Sequence, residues 1–178
     1  MQEVIIMQIR PVSDLRNKFP EIEKYVENGE PVYLTKNGYG SMVVISIEQY
    51  EKLTQRAELI SEFEMLVGYA KGEIRIHPDA ELVVVVRTKK NLVRTYGAKL
   101  EDLEEATEEF IQELLGADDT QIKYMVCMWN SYSLDIPGHY LRKRLLEIDP
   151  RNAETRLILE SEYDFAVRTI ESIMPPKA

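Results

Sequence analysis

A chain of 178 residues with 44% hydrophobic and 30% charged content has room for one domain or two small ones and for a buried core, which excludes disorder along its whole length. Its net charge of -9 excludes a protein that coats nucleic acid through a broad positive field. One cysteine, Cys127, beside two histidines, His77 and His139, excludes an internal disulfide and a Cys/His structural zinc site.

The segment Val4 to Ile9 is rich in β-branched residues and stops at Arg10-Pro11, as an edge strand ended by proline would. Ser13 and Asp14 are N-cap types, and Leu15, Phe19, Ile22 and Val26 then recur on one helical face. Pro20 interrupts that run and is tolerated best in a first helical turn, so two helical pieces meeting near Phe19 are predicted, closed by Asn28-Gly29. Pro31 to Lys36 and Ser41 to Ile45 flank the turn-rich Asn37-Gly38-Tyr39-Gly40 and predict a hairpin. Ser46 and Gln49 form a capping-box pattern that opens a helix through Tyr50, Leu53, Ile60 and Phe63 to about Ala70, with Gly72 as its stop.

A composition shift after Gly72 divides the chain into residues 1–72 and 73–178. A His-Pro-Asp turn leads to a strand over Glu81 to Thr88, and Leu100, Leu103, Thr107, Phe110 and Leu114 line a long acidic helix ending at Gly116. Ile122, Met125, Val126 and Trp129 read as another helical stripe, a basic helix covers Tyr140 to Ile148, a turn covers Asp149 to Asn152, and a last helix covers Tyr163 to Met174 before Pro175-Pro176. The fold class expected is therefore α+β: a strand, helices, a hairpin and a helix, followed by a mainly helical C-terminal domain.

Three stretches in order carry a resemblance. They are Ile9-Arg10-Pro11-Val12-Ser13-Asp14-Leu15-Arg16-Asn17, then Val26 to Gly38, then Met42-Val43-Val44-Ile45-Ser46-Ile47-Glu48-Gln49-Tyr50. Together they resemble the Phd/YefM family of antitoxins over about a third of the chain. The resemblance implies a homodimeric module that binds operator DNA in its own promoter and continues into a toxin-binding segment. Carried over by position, Arg10, Ser13, Arg16, Asn17 and Lys36 are the implied DNA-binding residues. Lys36 stands where relatives often have arginine; a lysine meets a phosphate as a point charge but lacks the bidentate fork that reads a base. The first 60 residues carry a net -2 against -7 for the rest, so a local contact with DNA belongs to the first segment.

Leu59, Phe63 and Leu66 share a face where relatives begin to contact their toxin, and are the expected partner-binding residues. Cys127 lies among apolar neighbours, His77 and His139 sit by turns, and the glutamates of 101–109 flank an apolar stripe, all of which read as structural. Arg142-Lys143-Arg144 reads as an outer face balancing the acidic helix. No nucleophile, metal or phosphate-loop pattern occurs, so the chain is expected not to be an enzyme and to need no cofactor. The longest apolar run, Leu82 to Val86, is far short of the ~20 residues that cross a bilayer, and a cytoplasmic location is expected. The reading is an autorepressor of antitoxin type whose partners are operator DNA, a second copy and a cognate toxin. The alternative is a DNA-binding regulator whose C-terminal part is a sensory or protein-interaction domain unrelated to toxin control.

Overall fold

The structure, a computed structural model, describes residues 7–161 and 165–174. The chain forms two compact units, Met1–Leu59 and Ile60–Ala178. The division falls inside one long helix, whereas the composition of the sequence changes after Gly72.

In the first unit, strand β1 (Gln8–Pro11) ends at its proline and runs directly into α1 (Val12–Asn17). Lys18, with φ -136° and ψ 35°, breaks the helix before α2 (Phe19–Glu27), where Pro20 lies in the first turn and needs no intrahelical acceptor. Gly29 follows the end of α2 at φ 81°, a conformation that costs a glycine little. Strands β2 (Val32–Lys36) and β3 (Tyr39–Val44) make the hairpin, turned by Asn37 and Gly38 at φ 53° and 82°. Two successive positive φ values give the turn whose twist matches the strands. Residues 4–6 of the expected first strand lie outside the described residues.

β1 pairs parallel with β2, and β2 antiparallel with β3. Alternation sends Val32 and Leu34 to one face, where they bury with Ile22 and are flanked by Val12, Leu15, Tyr25, Val26 and Val44. Tyr33, paired with Ile9 and Val43, takes the opposite face. Helix α3 (Ile47–Ile76) opens with a reciprocal capping box: Gln49 N–H donates to Ser46 Oγ at 3.1 Å and Ser46 N–H to Gln49 Oε1 at 3.2 Å. It continues through Gly72 instead of stopping there. A mid-helix glycine costs only ~1 kcal/mol, and the last turns bury Leu66, Ala70 and Ile74.

The second unit corrects the expectation of a mainly helical domain, because it is built on a six-stranded sheet. Its strands are β4 (Leu82–Thr88), β5 (Val93–Ala98), β6 (Ile122–Trp129), β7 (Leu134–Asp135), β8 (Arg156–Glu160) and β9 (Phe165–Thr169). The order is β5-β4-β6-β8-β9, with β7 on β6 and only β6–β8 parallel. Helices α4 (Leu103–Gly116) and α5 (His139–Ile148) place Phe110, Ile111, Leu114, Leu141 and Leu145 against Leu82, Val84 and Val86 of β4 and Met125 and Cys127 of β6. On the other face, Arg87 of β4 meets Glu62 of α3 at 3.5 Å and Met65 Sδ at 3.1 Å.

A strand covered on both faces is apolar at nearly every position, and in Ile122–Trp129 Lys123 alone is charged. That is why Ile122 to Trp129, with its apolar residues at spacings of three and one, imitates a helix in the sequence but forms the central strand. The expected helix over Tyr163 to Met174 is likewise β9 followed by the short α6 (Ile170–Ile173), which Thr169 and Ser172 cap reciprocally. Tyr163, Pro175 and Pro176 lie outside the described residues.

Candidate nucleic-acid interface

The register of the first sheet assembles the basic positions. Pro11 pairs with Thr35, so the start of α1 and Lys36, the next residue of β2, come to the same end of the sheet. Ser13, Arg16 and Asn17 are exposed on α1, whose other side supplies Val12 and Leu15 to the core. Lys36 is exposed at the hairpin, opposite Tyr39. Among the described residues Arg16 makes no ion pair. These exposed side chains supply a guanidinium, an ammonium, a hydroxyl and an amide, groups of the kinds that contact phosphates and base edges.

Arg10 is placed differently. It is half-buried, its guanidinium lies over the Tyr25 ring at 5.7 Å, and its Nη2 donates to the Tyr25 hydroxyl at 3.4 Å. Thr35 Oγ1 also donates to the Arg10 carbonyl at 3.3 Å. Arg10 thus braces β1 against α2, and its cation is partly spent within the fold. Tyr25 escaped the sequence reading because nothing in periodicity links residues 15 apart on a strand and a helix.

The apolar face of the same sheet is uncovered. Ile9 is 59% exposed, Tyr33 36% and Val43 50%, and the register sets the three side by side across the strands. Ile47, Tyr50 and Leu53 of α3 are also exposed.

Leu59, Phe63 and Leu66 do not form one open face. Leu66 is fully buried, the Phe63 ring stacks on Phe165 with centroids 4.9 Å apart, and Leu59 is half-buried. In the second unit the basic run is absorbed by its neighbours. Arg144 Nη2 donates to Glu108 at 2.9 Å, Tyr140 donates to the same carboxylate at 2.8 Å, and Arg142 donates to the Ile173 carbonyl at 2.9 Å. The Arg144 and Tyr140 hydrogen bonds hold Glu108 below the usual carboxylate range. Cys127 is buried, and burial followed by the charge of Asp135 pushes its thiol up, away from the reactive thiolate. Among the described residues no cluster of three His, Cys, Asp or Glu is placed to hold a metal, and no helix is long and apolar enough to cross a membrane.

No curated protein matches the chain. Among solved structures, cytidine deaminase from Mycobacterium tuberculosis is similar in three forms. One mutant is 15% identical over 64% of this chain and 95% of that one, with a TM-score of 0.48. A second mutant is 15% identical over 64% and 92%, with a TM-score of 0.47. The third structure is 16% identical over 64% and 94%, with a TM-score of 0.45. These neighbours are enzymes, against the expectation that this chain is not one, and no activity is carried over from them. Residues 7–65, the N-terminal third of this chain, match the model of a family described as antitoxin Phd_YefM, type II toxin-antitoxin system.

Proposed function

We propose that the chain is an autorepressor of antitoxin type whose first unit dimerises and binds operator DNA in its own promoter. The observation that carries this reading is the exposed cluster of Ser13, Arg16, Asn17 and Lys36 at one end of a sheet inside the family-matched residues 7–65. Dimerisation rests on the uncovered Ile9, Tyr33 and Val43 face. A unit whose core among the described residues has three buried members cannot leave such a face to water cheaply. A dyad-related pair of clusters would read a palindromic site.

A cognate toxin is the partner that a type II antitoxin module implies, and the second reading gives the C-terminal unit a role unrelated to toxin control. Because Phe63 and Leu66 pack within their own unit, the observation favours a C-terminal unit that acts as a sensory or interaction domain. The test is sedimentation of the full chain together with footprinting on its own promoter. A dimer protecting a palindrome supports the proposal, and a monomer that gives no protection at low salt rejects it.

A further inference from the structure

The second unit holds a cavity of about 210 Å³ between the sheet and the first turns of α4 and α5. Leu82 and Val84 of β4, Leu103 of α4 and Leu141 of α5 supply apolar walls, and Tyr96 of β5 forms a rigid side because its ring packs on Phe110 at 4.8 Å between centroids. Cavities of ~150 Å³ lined in this way accept a benzene-sized molecule, so this one has room for a bicyclic ring.

The hydrogen bonds at the cavity define what its occupant must carry. Thr107 Oγ1 donates to the Leu103 carbonyl at 2.7 Å, and the Tyr96 hydroxyl lies 3.1 Å from the same Oγ1. With the threonine hydrogen spent on the carbonyl, the tyrosine hydrogen goes to Thr107, and the pair keeps only lone pairs to offer. The Tyr140 hydroxyl is spent as a donor to Glu108. Glu104 at the exposed rim is acceptor-only and makes no ion pair among the described residues. Cys127 adds a neutral, weak S–H, and His139 at the rim is the one side chain there able to donate strongly. Among the described residues no lysine or arginine lines the space to pair with an anion, and apolar walls penalise an occupant that carries a full charge inward.

From this inventory we propose that the cavity binds a small, neutral aromatic heterocycle whose one N–H donates to Glu104 while its ring fills the space beside Tyr96. This site lies wholly in residues 82–141 and stands or falls apart from the DNA-binding reading. The test uses the full chain, indole as the probe and indene as its match in shape without the N–H, followed by two-dimensional amide NMR. Saturable shifts at Thr107 and at His139 to Leu141 are expected with indole, with indene about five-fold weaker for the loss of one hydrogen bond. Glu104→Ala, at an exposed position, should weaken indole to the level of indene. Val84→Phe, which fills the cavity, should abolish both. Absence of saturable shifts, equal binding of indole and indene, or full indole affinity in Glu104→Ala would each overturn the proposal. If Val84→Phe fails to fold, the Glu104→Ala comparison still decides it.

Discussion

The side-chain amide of Asn152 donates at 2.9 Å to the carbonyl of Leu145 in the last turn of α5, which also accepts from Asp149 N–H. The same amide donates to the Thr120 carbonyl at 2.9 Å, and its oxygen accepts from Ile122 N–H at 2.8 Å. One fully buried side chain therefore joins the end of a helix to the first residue of the central strand.

Asn152→Ala removes these three bonds; the Leu145 carbonyl keeps the bond from Asp149 N–H, while the Ile122 N–H and the Thr120 carbonyl lose their Asn152 partner. The expected loss is about 2–4 kcal/mol of the stability of the second unit. Urea unfolding monitored by Trp129 fluorescence measures it, and a change within 0.5 kcal/mol, about the scatter of a surface substitution, would show that water replaces the amide.

Asp149 is held below its ordinary value of 3.8, first by the hydrogen bond from the Arg151 side chain, against the opposing effect of burial. Arg151 meets it at 2.7 and 2.9 Å, and the Arg151 N–H adds a third bond at 3.0 Å. A carboxylate lowered on folding stabilises the fold fully above its unfolded value, and that contribution disappears as pH falls below 3.8 through the lowered folded value. Asp149→Asn should accordingly lower the melting temperature at pH 7 and flatten its fall between pH 5 and pH 2. Parallel acid limbs for the two proteins would rule Asp149 out as a contributor.

Phe63→Ala removes a ring stacked on Phe165 at an interplanar angle of 14°. The expected cost is about 2–3 kcal/mol, from lost burial and the ring pair together. Because both rings belong to the second unit, operator affinity should remain within two-fold, about 0.4 kcal/mol. Loss of toxin capture without any change in melting temperature would instead place Phe63 in a partner interface.

Arg16 and Arg10 should separate cleanly. Arg16→Ala is expected to weaken operator binding and reduce the slope of log affinity against log salt by about one contact, leaving the melting temperature unchanged. Arg10→Ala removes the cation over Tyr25 and the bond to its hydroxyl, so it should lower the melting temperature of the first unit as well. Equal effects on stability from both would contradict the distinct placements.

The first unit was largely legible because its signals are local. Pro20 in a first turn, Asn37-Gly38 between two β-prone runs, and Ser46 with Gln49 each act within a few residues, and each has the geometry that its chemistry demands. The family resemblance was legible for the same reason, since it is carried by three short stretches at fixed spacing. Arg10 already shows the limit: only the fold brings Tyr25 beneath its guanidinium.

The second half lies beyond that limit. Ile122 to Trp129 is apolar on both faces because helices cover the sheet on both sides, and a fully buried strand has no alternation to betray it. Pairing of β6 with β4 and β8 spans tens of residues, and no window of sequence contains it. The packing of Tyr96 and Thr107 around one cavity and the seat of Phe63 against Phe165 follow from those pairings. Local chemistry determined the turns, caps and helical faces of this protein; long-range strand pairing, whose energy comes from partners distant in the chain, decided which residues meet.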